Sequence, residues 1–546
     1  MDEAPLGAAE QLARDTASWL TPARAPRQLR QRVAGFSSSM TLVCEGPALP
    51  VGSPAPCGTP LDPSAELTRG RYPEEVSLLH ELSAVKLVEA RSAGELSATD
   101  LVSHFLERIE RLNPDVNAVV TRTPESALQA ARDMDEGIRA PGLLWGLPFA
   151  DKDLVHRAGV ATGGGSKALS GAPVPATSDP LALALDEAGG ISIGKSAVCE
   201  FGLTSYTESE VFPPTLNPFS LDHGSGGSSG GAAAAVAAGM VPFSPGSDGG
   251  GSVRIPAWAC GLVGHKPSRG LIPAGSGFDS LGGLVVPGPL ARSVEDAALL
   301  LDALCGSAPT FRATGQPPHL QSFRTRLTTA TGPLTIGLTT VSPWDDWLDV
   351  TVDSEACDAM HRVAALAEEA GHTVVPWQWK PMAGYAEAFY TLWQASAASL
   401  ESDRVSQDLV EPLTRYLMER GRALGARDVV QALGVLSRFE TETIRAFSRF
   451  DVVLTPGLAT APPPIGFYDK KDPEENFRQQ VRVTPFSSFV NVCGLPAVAL
   501  PAGRNTEGLP VGVHLIGGPG QDALVLGLAN VLEAQIGWAG TRPTIW

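Results

Sequence analysis

The chain of 546 residues has no run of eighteen or more apolar residues, the length at which a helix can cross a bilayer. Its seven cysteines are scattered and none sits in a C-x-x-C unit. An odd, dispersed set argues against a disulfide framework and a zinc site, and fits a reducing compartment. Positive charge is also scarce. Lys and Arg number 41 against 59 Asp and Glu, a formal net charge of −18. Binding to nucleic acid or to an anionic membrane surface needs a basic footprint that this balance does not supply. The opening MDEAPLGAAEQLARD is acidic and lacks the apolar centre of a signal peptide. These absences together predict a cytoplasmic protein with neither nucleic-acid nor membrane partners.

What is present supports a large core, with 43% of residues hydrophobic and 18% charged. Residues 1–75 differ from the rest. The segment GPALPVGSPAPCGTPLDPSAE is proline-rich and aperiodic, so the whole stretch reads as an extension with little fixed structure, holding at most a short helix between Gly7 and Leu20. Residues 76–546 read as one large α/β domain. SATDLVSHFLERIERLNPD predicts a helix capped by Ser97 with Asp100, an apolar face from Leu101 to Leu112, and a stop at Pro114. VDSEACDAMHRVAALAEEAG predicts a second helix ending at Gly371, flanked by strand-like LTIGLTT and HTVVPWQW. FDVVLTP, PAVALP and LPVGVHLIG are further runs of strand length.

Two glycine-rich signals compete for the chemistry. GGISIGKS at 189–196 matches the phosphate-loop pattern letter for letter. Such a loop needs a strand before it and a helix after it. Here LALALDEA before it reads as helix and ISIG inside it alternates as strand, so a helix-turn-strand connection is expected. The other signal is GGSSGG at 226–231 and GSDGGGSVRIPA at 246–257, joined by AAAAVAAG. Glycine and serine alone would suggest a linker, but alanine is the strongest helix former. The pattern therefore reads loop, helix, loop. Consecutive glycines leave peptide N–H groups unshielded, and N–H groups aimed at one point stabilise an oxyanion.

The stretch from Gly226 to Gly270, with GLPFADKDLV upstream and TPFSSFVNVCGLPAVALPAG downstream, resembles the amidase signature family over about 470 residues. The resemblance implies a single domain with a mixed, twisted β-sheet core surrounded by helices. It also implies a Ser–Ser–Lys relay. The family's lysine falls on Lys152, its bridging serine on Ser228 behind a cis peptide, and its nucleophile on Ser252. The two serines stand 252 − 228 = 24 positions apart. Gly249, Gly250 and Gly251, with Ser252, are the candidate oxyanion donors. Asp248 and Arg254 are expected to brace the loop, and Ser229 to add a hydrogen bond.

Residue chemistry supports these roles. A serine must lose its proton as it attacks an amide. Lysine can act as base only when neutral, and burial can bring its pKa of about 10.4 down by some three units. Asp151 and Asp153 would oppose that shift, but alternate side chains of a strand point to opposite faces. His223 and His265 flank the signature, yet no G-x-S-x-G elbow surrounds Ser252. Cys199 and Cys493 read as small core residues. Phe201, Tyr206, Phe278 and Trp393 are candidates for the pocket wall. The expected activity is hydrolysis of a small-molecule carboxylic amide, with no metal and no cofactor, in a chain that could form a homodimer. The alternatives are the glutamine-hydrolysing component of a tRNA-dependent amidotransferase, or an ester, carbamate or cyclic-amide hydrolase on the same fold.

Overall fold

Ser97 and Asp100 cap the first long helix reciprocally, each side chain accepting the other's backbone N–H, at 2.9 and 3.1 Å. The helix runs from Ala98 to Val116 and so passes Pro114 instead of stopping there. Asn113 explains the extra residues. Its carbonyl accepts the Asn117 N–H, and its side-chain oxygen accepts those of Ala118 and Val119 at 2.9 and 2.8 Å. Asn117 then ends the helix in the left-handed conformation.

The computed structural model describes residues 74–272, 280–306, 322–329, 332–400 and 407–546. All but the last two residues of the expected extension, and Phe278, lie outside these. In chain order the strands are β1 (Val119–Arg122), β2 (Pro148–Lys152), β3 (Ile191–Ser196), β4 (Leu216–Asn217) and β5 (Ser220–Gly224). There follow β6 (Phe243–Asp248), β7 (Val263–Lys266), β8 (Val286–Ala291) and β9 (Thr335–Leu338). β10 (Thr373–Pro376), β11 (Val452–Pro456), β12 (Ala497–Arg504) and β13 (Pro510–Gly517) complete the set.

The large sheet has the order β10-β9-β11-β13-β12-β7-β8-β6. β10, β9 and β11 run parallel, and every pairing from β11 to β6 is antiparallel. It is the mixed sheet the sequence implies, and the strand-like runs around 335, 373, 452, 497 and 510 all fall on strands. A smaller sheet, β1-β3-β2, lies beside it. The phosphate-loop lookalike is β3, entered from the helix Pro180–Glu187, with Lys195 buried and bonded to the Val155 carbonyl. A phosphate-binding loop is thereby ruled out.

The alanine-rich stretch forms the helix Gly230–Ala237, in which every residue is buried. It packs against β1, β2 and β3 on one side and against β6 and β8 on the other. Only small side chains allow a helix to sit that close to two sheets. A β-carbon on Gly231 would lie 2.2 Å from the Ala197 nitrogen, so glycine is required at that contact.

Candidate active site

Lys152 ends β2, and Ser247 and Asp248 end the neighbouring β6. Ser228 and Ser229 lie on the turn that enters the buried helix Gly230–Ala237, and the Gly227–Ser228 peptide is cis. A β-carbon on Gly227 would stand 2.6 Å from the Tyr206 backbone, which accounts for glycine there. Three segments thus bring their polar ends to one point.

At that point Lys152 Nζ lies 2.7 Å from Ser228 Oγ and 2.9 Å from Ser247 Oγ, with the Ser247 carbonyl at 3.3 Å. Lys152 is only 2% exposed. Burial pushes its ammonium down to about 8, against the opposing influence of Cys199 and Asp248. The flanking aspartates are engaged elsewhere: Asp151 pairs with Arg157 at 2.6 Å, and Asp153 accepts the Gly163 N–H at 3.1 Å. Ser247 has no place among the residues the sequence marks. A half-buried serine on a strand carries no pattern that marks it.

Ser252 follows the glycines and faces an open cleft of about 480 Å³. The Ser229 N–H donates to the Ser252 carbonyl at 3.3 Å, tying the two serine segments together. Ser229 Oγ reaches the Ser247 carbonyl at 3.5 Å, the outer limit of a hydrogen bond. Of the four candidate oxyanion donors, Gly251 is placed differently. Its N–H donates to Asp248 Oδ1 at 2.7 Å, and this carboxylate, not the cleft, sets its direction. The N–H groups of Gly249, Gly250 and Ser252 donate to no acceptor among the described residues.

Asp248 and Arg254 form a fully buried pair. Arg254 Nη2 and Nε donate to the two Asp248 oxygens, each at 2.9 Å. Burial alone would raise the Asp248 carboxyl, but the charge and hydrogen bonds of Arg254 outweigh it and hold the group well below the usual carboxylate range. Asn491 extends the brace by donating to the Asp248 carbonyl at 2.8 Å, and Ser487 Oγ donates to the Gly250 carbonyl at 2.6 Å. Arg254 Nη1 donates to His514 Nε2 at 3.1 Å. Burial and that neighbouring charge keep His514 neutral. Replacing Arg254 by leucine leaves the Asp248 carboxylate buried without a cation. Urea unfolding at pH 7 is expected to show a loss of about 3–5 kcal/mol; a loss under about 1 kcal/mol would show that the pair does not hold the loop.

The remaining candidates among the described residues make no hydrogen bond to Lys152, Ser228 or Ser252. His223 meets Ser220 Oγ at 2.9 Å, and His265 meets Asp522 at 3.1 Å. Cys199 and Cys493 are buried, with Cys199 close enough to Lys152 to influence its charge. Trp393 lines the cleft, whereas Tyr206 lines an adjoining hollow and Phe201 lines neither. Trp344, Phe389 and Phe477 also line the cleft. Their segments are remote in sequence from the signature, and no local motif announces them. Among the described residues, no group of three or more His, Cys, Asp or Glu could hold a metal ion.

Comparison with known proteins gives the family. The sequence profile described as Amidase matches residues 100–526. The putative amidase AmiB2 of Mycobacterium tuberculosis is 36% identical over 460 residues, covering 83% of this chain and 96% of its own. A glutamyl-tRNA(Gln) amidotransferase chain of Carboxydothermus hydrogenoformans is 33% identical over 502 residues, covering 86% and 100%. The structure of 6-aminohexanoate cyclic dimer hydrolase complexed with substrate superposes with a TM-score of 0.79 at 28% identity, covering 85% of this chain and 99% of that one. The chain belongs to the amidase family and is a hydrolase of amide C–N bonds.

Proposed function

We propose that this amidase works through an acyl-enzyme on Ser252, with Lys152 and Ser228 as its proton relay. The observation that carries the proposal is the buried Lys152 amine 2.7 Å from Ser228 Oγ. In its neutral form Nζ takes the proton of Ser228, and Ser228 takes that of Ser252. Ser252 Oγ bonds to the amide carbon, and the carbonyl electrons move to oxygen. The N–H groups of Gly249, Gly250 and Ser252 are the donors for that oxyanion; losing one such donor costs about 10²–10³ in turnover. When the C–N bond breaks, the leaving nitrogen takes the proton back along the relay. Water, activated by the same route, then releases the acid. Asp248, Arg254 and Ser229 position the loops and take no part in the proton transfers.

The substrate we propose is a small carboxylic amide, and the ring opening that the name of the cyclic dimer hydrolase implies is within reach of the same nucleophile. The five cysteines among the described residues are all free, and no described helix is long and apolar enough to cross a membrane. We place the enzyme in the cytoplasm on those grounds, and read residues 1–75 as an appendage to the domain 76–546.

The test is the pH dependence of labelling by a fluorophosphonate, with the adduct mapped by mass spectrometry. The neutral fraction of Lys152 grows as pH rises, so the rate of Ser252 modification should climb about tenfold per pH unit and level off above about 8. An adduct on another residue, or a flat profile between pH 6 and 9, would overturn the assignment.

A further inference from the structure

We propose that the cleft beside Ser252 takes an uncharged amide carrying an aromatic group close to the scissile bond, at most a short spacer away, a reading that rests on the catalytic assignment above. The first observation is charge. Among the described residues lining the cleft there is no Asp, Glu, Lys, Arg or His. Three polar side chains of the lining are already committed within the protein. Gln480 accepts the Ser205 N–H and donates to Asn476, at 2.8 and 2.7 Å. Thr484 Oγ1 donates to the Gln480 carbonyl at 2.8 Å. Ser488 Oγ accepts from Trp344 Nε1 at 3.1 Å and shares a hydrogen bond with the Tyr385 hydroxyl at 2.8 Å. A substrate ammonium or carboxylate entering this cleft gives up water and finds no counter-charge, a loss of about 10²-fold or more in binding.

The second observation is shape. The rest of the lining is largely aromatic. Phe389 and Trp393 stack at 5.6 Å with planes 16° apart, and Trp344 meets Phe389 edge-on at 5.6 Å and 80°. Trp393 Nε1 donates to the Leu203 carbonyl at 3.3 Å, which fixes the outer ring. This wall touches the glycine loop itself. A methyl group on Gly250 would lie 3.6 Å from Phe389, and one on Gly249 3.8 Å from Trp393. An amide oxygen held by the N–H groups of that loop therefore has aromatic surface next to it, with no room for a long spacer. A substrate ring seated there makes stacked or edge-on contacts, each strengthening binding by about 2–10-fold beyond its area. Glutamine, which carries both charges and no ring, fits neither property.

The experiment measures kcat/KM for 3-phenylpropionamide, L-phenylalaninamide, propionamide and glutamine, and in parallel the slowing of Ser252 fluorophosphonate labelling by each. At pH 6, where the α-amino group is protonated and the rates are compared, the first two differ only by an ammonium, and the first and third only by the ring. The neutral aromatic amide is expected to lead phenylalaninamide and glutamine by at least about 10²-fold, and propionamide by at least about tenfold. Trp393→Ala should cut the aromatic-to-aliphatic ratio by about tenfold, and Trp393→Phe should restore most of it. Phenylalaninamide or glutamine within tenfold of the neutral aromatic amide, or a ratio indifferent to Trp393→Ala, overturns the proposal while leaving the relay standing. Failure of wild-type Ser252 to label at all overturns the relay, and this reading with it.

Discussion

Ser252→Ala is expected to lower kcat by about 10⁴–10⁶-fold with KM little changed. The variant removes one oxygen from a residue that is 8% exposed and faces the cleft, so the loop around it has no reason to move. The Asp248 carboxylate still accepts the Gly251 N–H, and Ser487 still holds the Gly250 carbonyl. Several hydroxyls around the site already have partners. Ser228 and Ser247 are bonded to Lys152, and Ser488 is bonded to Trp344 and Tyr385. The residual rate would then measure the contribution of the loop N–H groups without a nucleophile. Substrate binding, read by equilibrium dialysis, should persist. A drop in kcat of less than about a hundredfold would mean that a different group attacks.

The loops that carry the proposed relay are legible in the sequence because their constraints are local. Glycine before Ser228 is forced by the Tyr206 backbone, and the alanines after it by two sheets closing on one helix. Such steric demands leave a dense pattern of small residues. The phosphate-loop lookalike shows the converse. Its letters were right, but the helix before it and the strand through it exclude that function. What could not be read is what depends on long-range packing. Ser247 reaches Lys152 only because β2 and β6 lie side by side, and Asn491 braces Asp248 across 243 positions. The cleft wall draws Trp344, Phe389 and Phe477 from segments far apart in the chain. Nor does sequence say which N–H a carboxylate will claim, and the bond to Asp248 is what sets Gly251 apart from the other three oxyanion candidates.

Lys152→Met separates the catalytic role of the lysine from its structural one, because the two effects have opposite signs. Methionine keeps the length and apolar stem of the side chain but cannot take a proton, so kcat/KM is expected to fall by about 10⁴-fold. Stability should not fall with it. The folded protein holds this ammonium at about 8 instead of 10.5, a penalty on the order of 3 kcal/mol when fully expressed. Because the folded value is the lower one, the unfolded chain binds more protons between pH 8 and 10.5, and stability rises with pH across that window. Below about pH 8 the penalty is complete, and methionine removes it. The hydrogen bonds to Ser228 and Ser247 are lost in exchange, each worth about 1 kcal/mol net. The melting temperature of Lys152→Met at pH 7 should therefore equal or exceed that of the wild type, and its advantage should vanish by about pH 10.5. An inactive variant that melts well below the wild type at pH 7 would make Lys152 a structural ion whose loss collapses the site. An active one would place the base elsewhere.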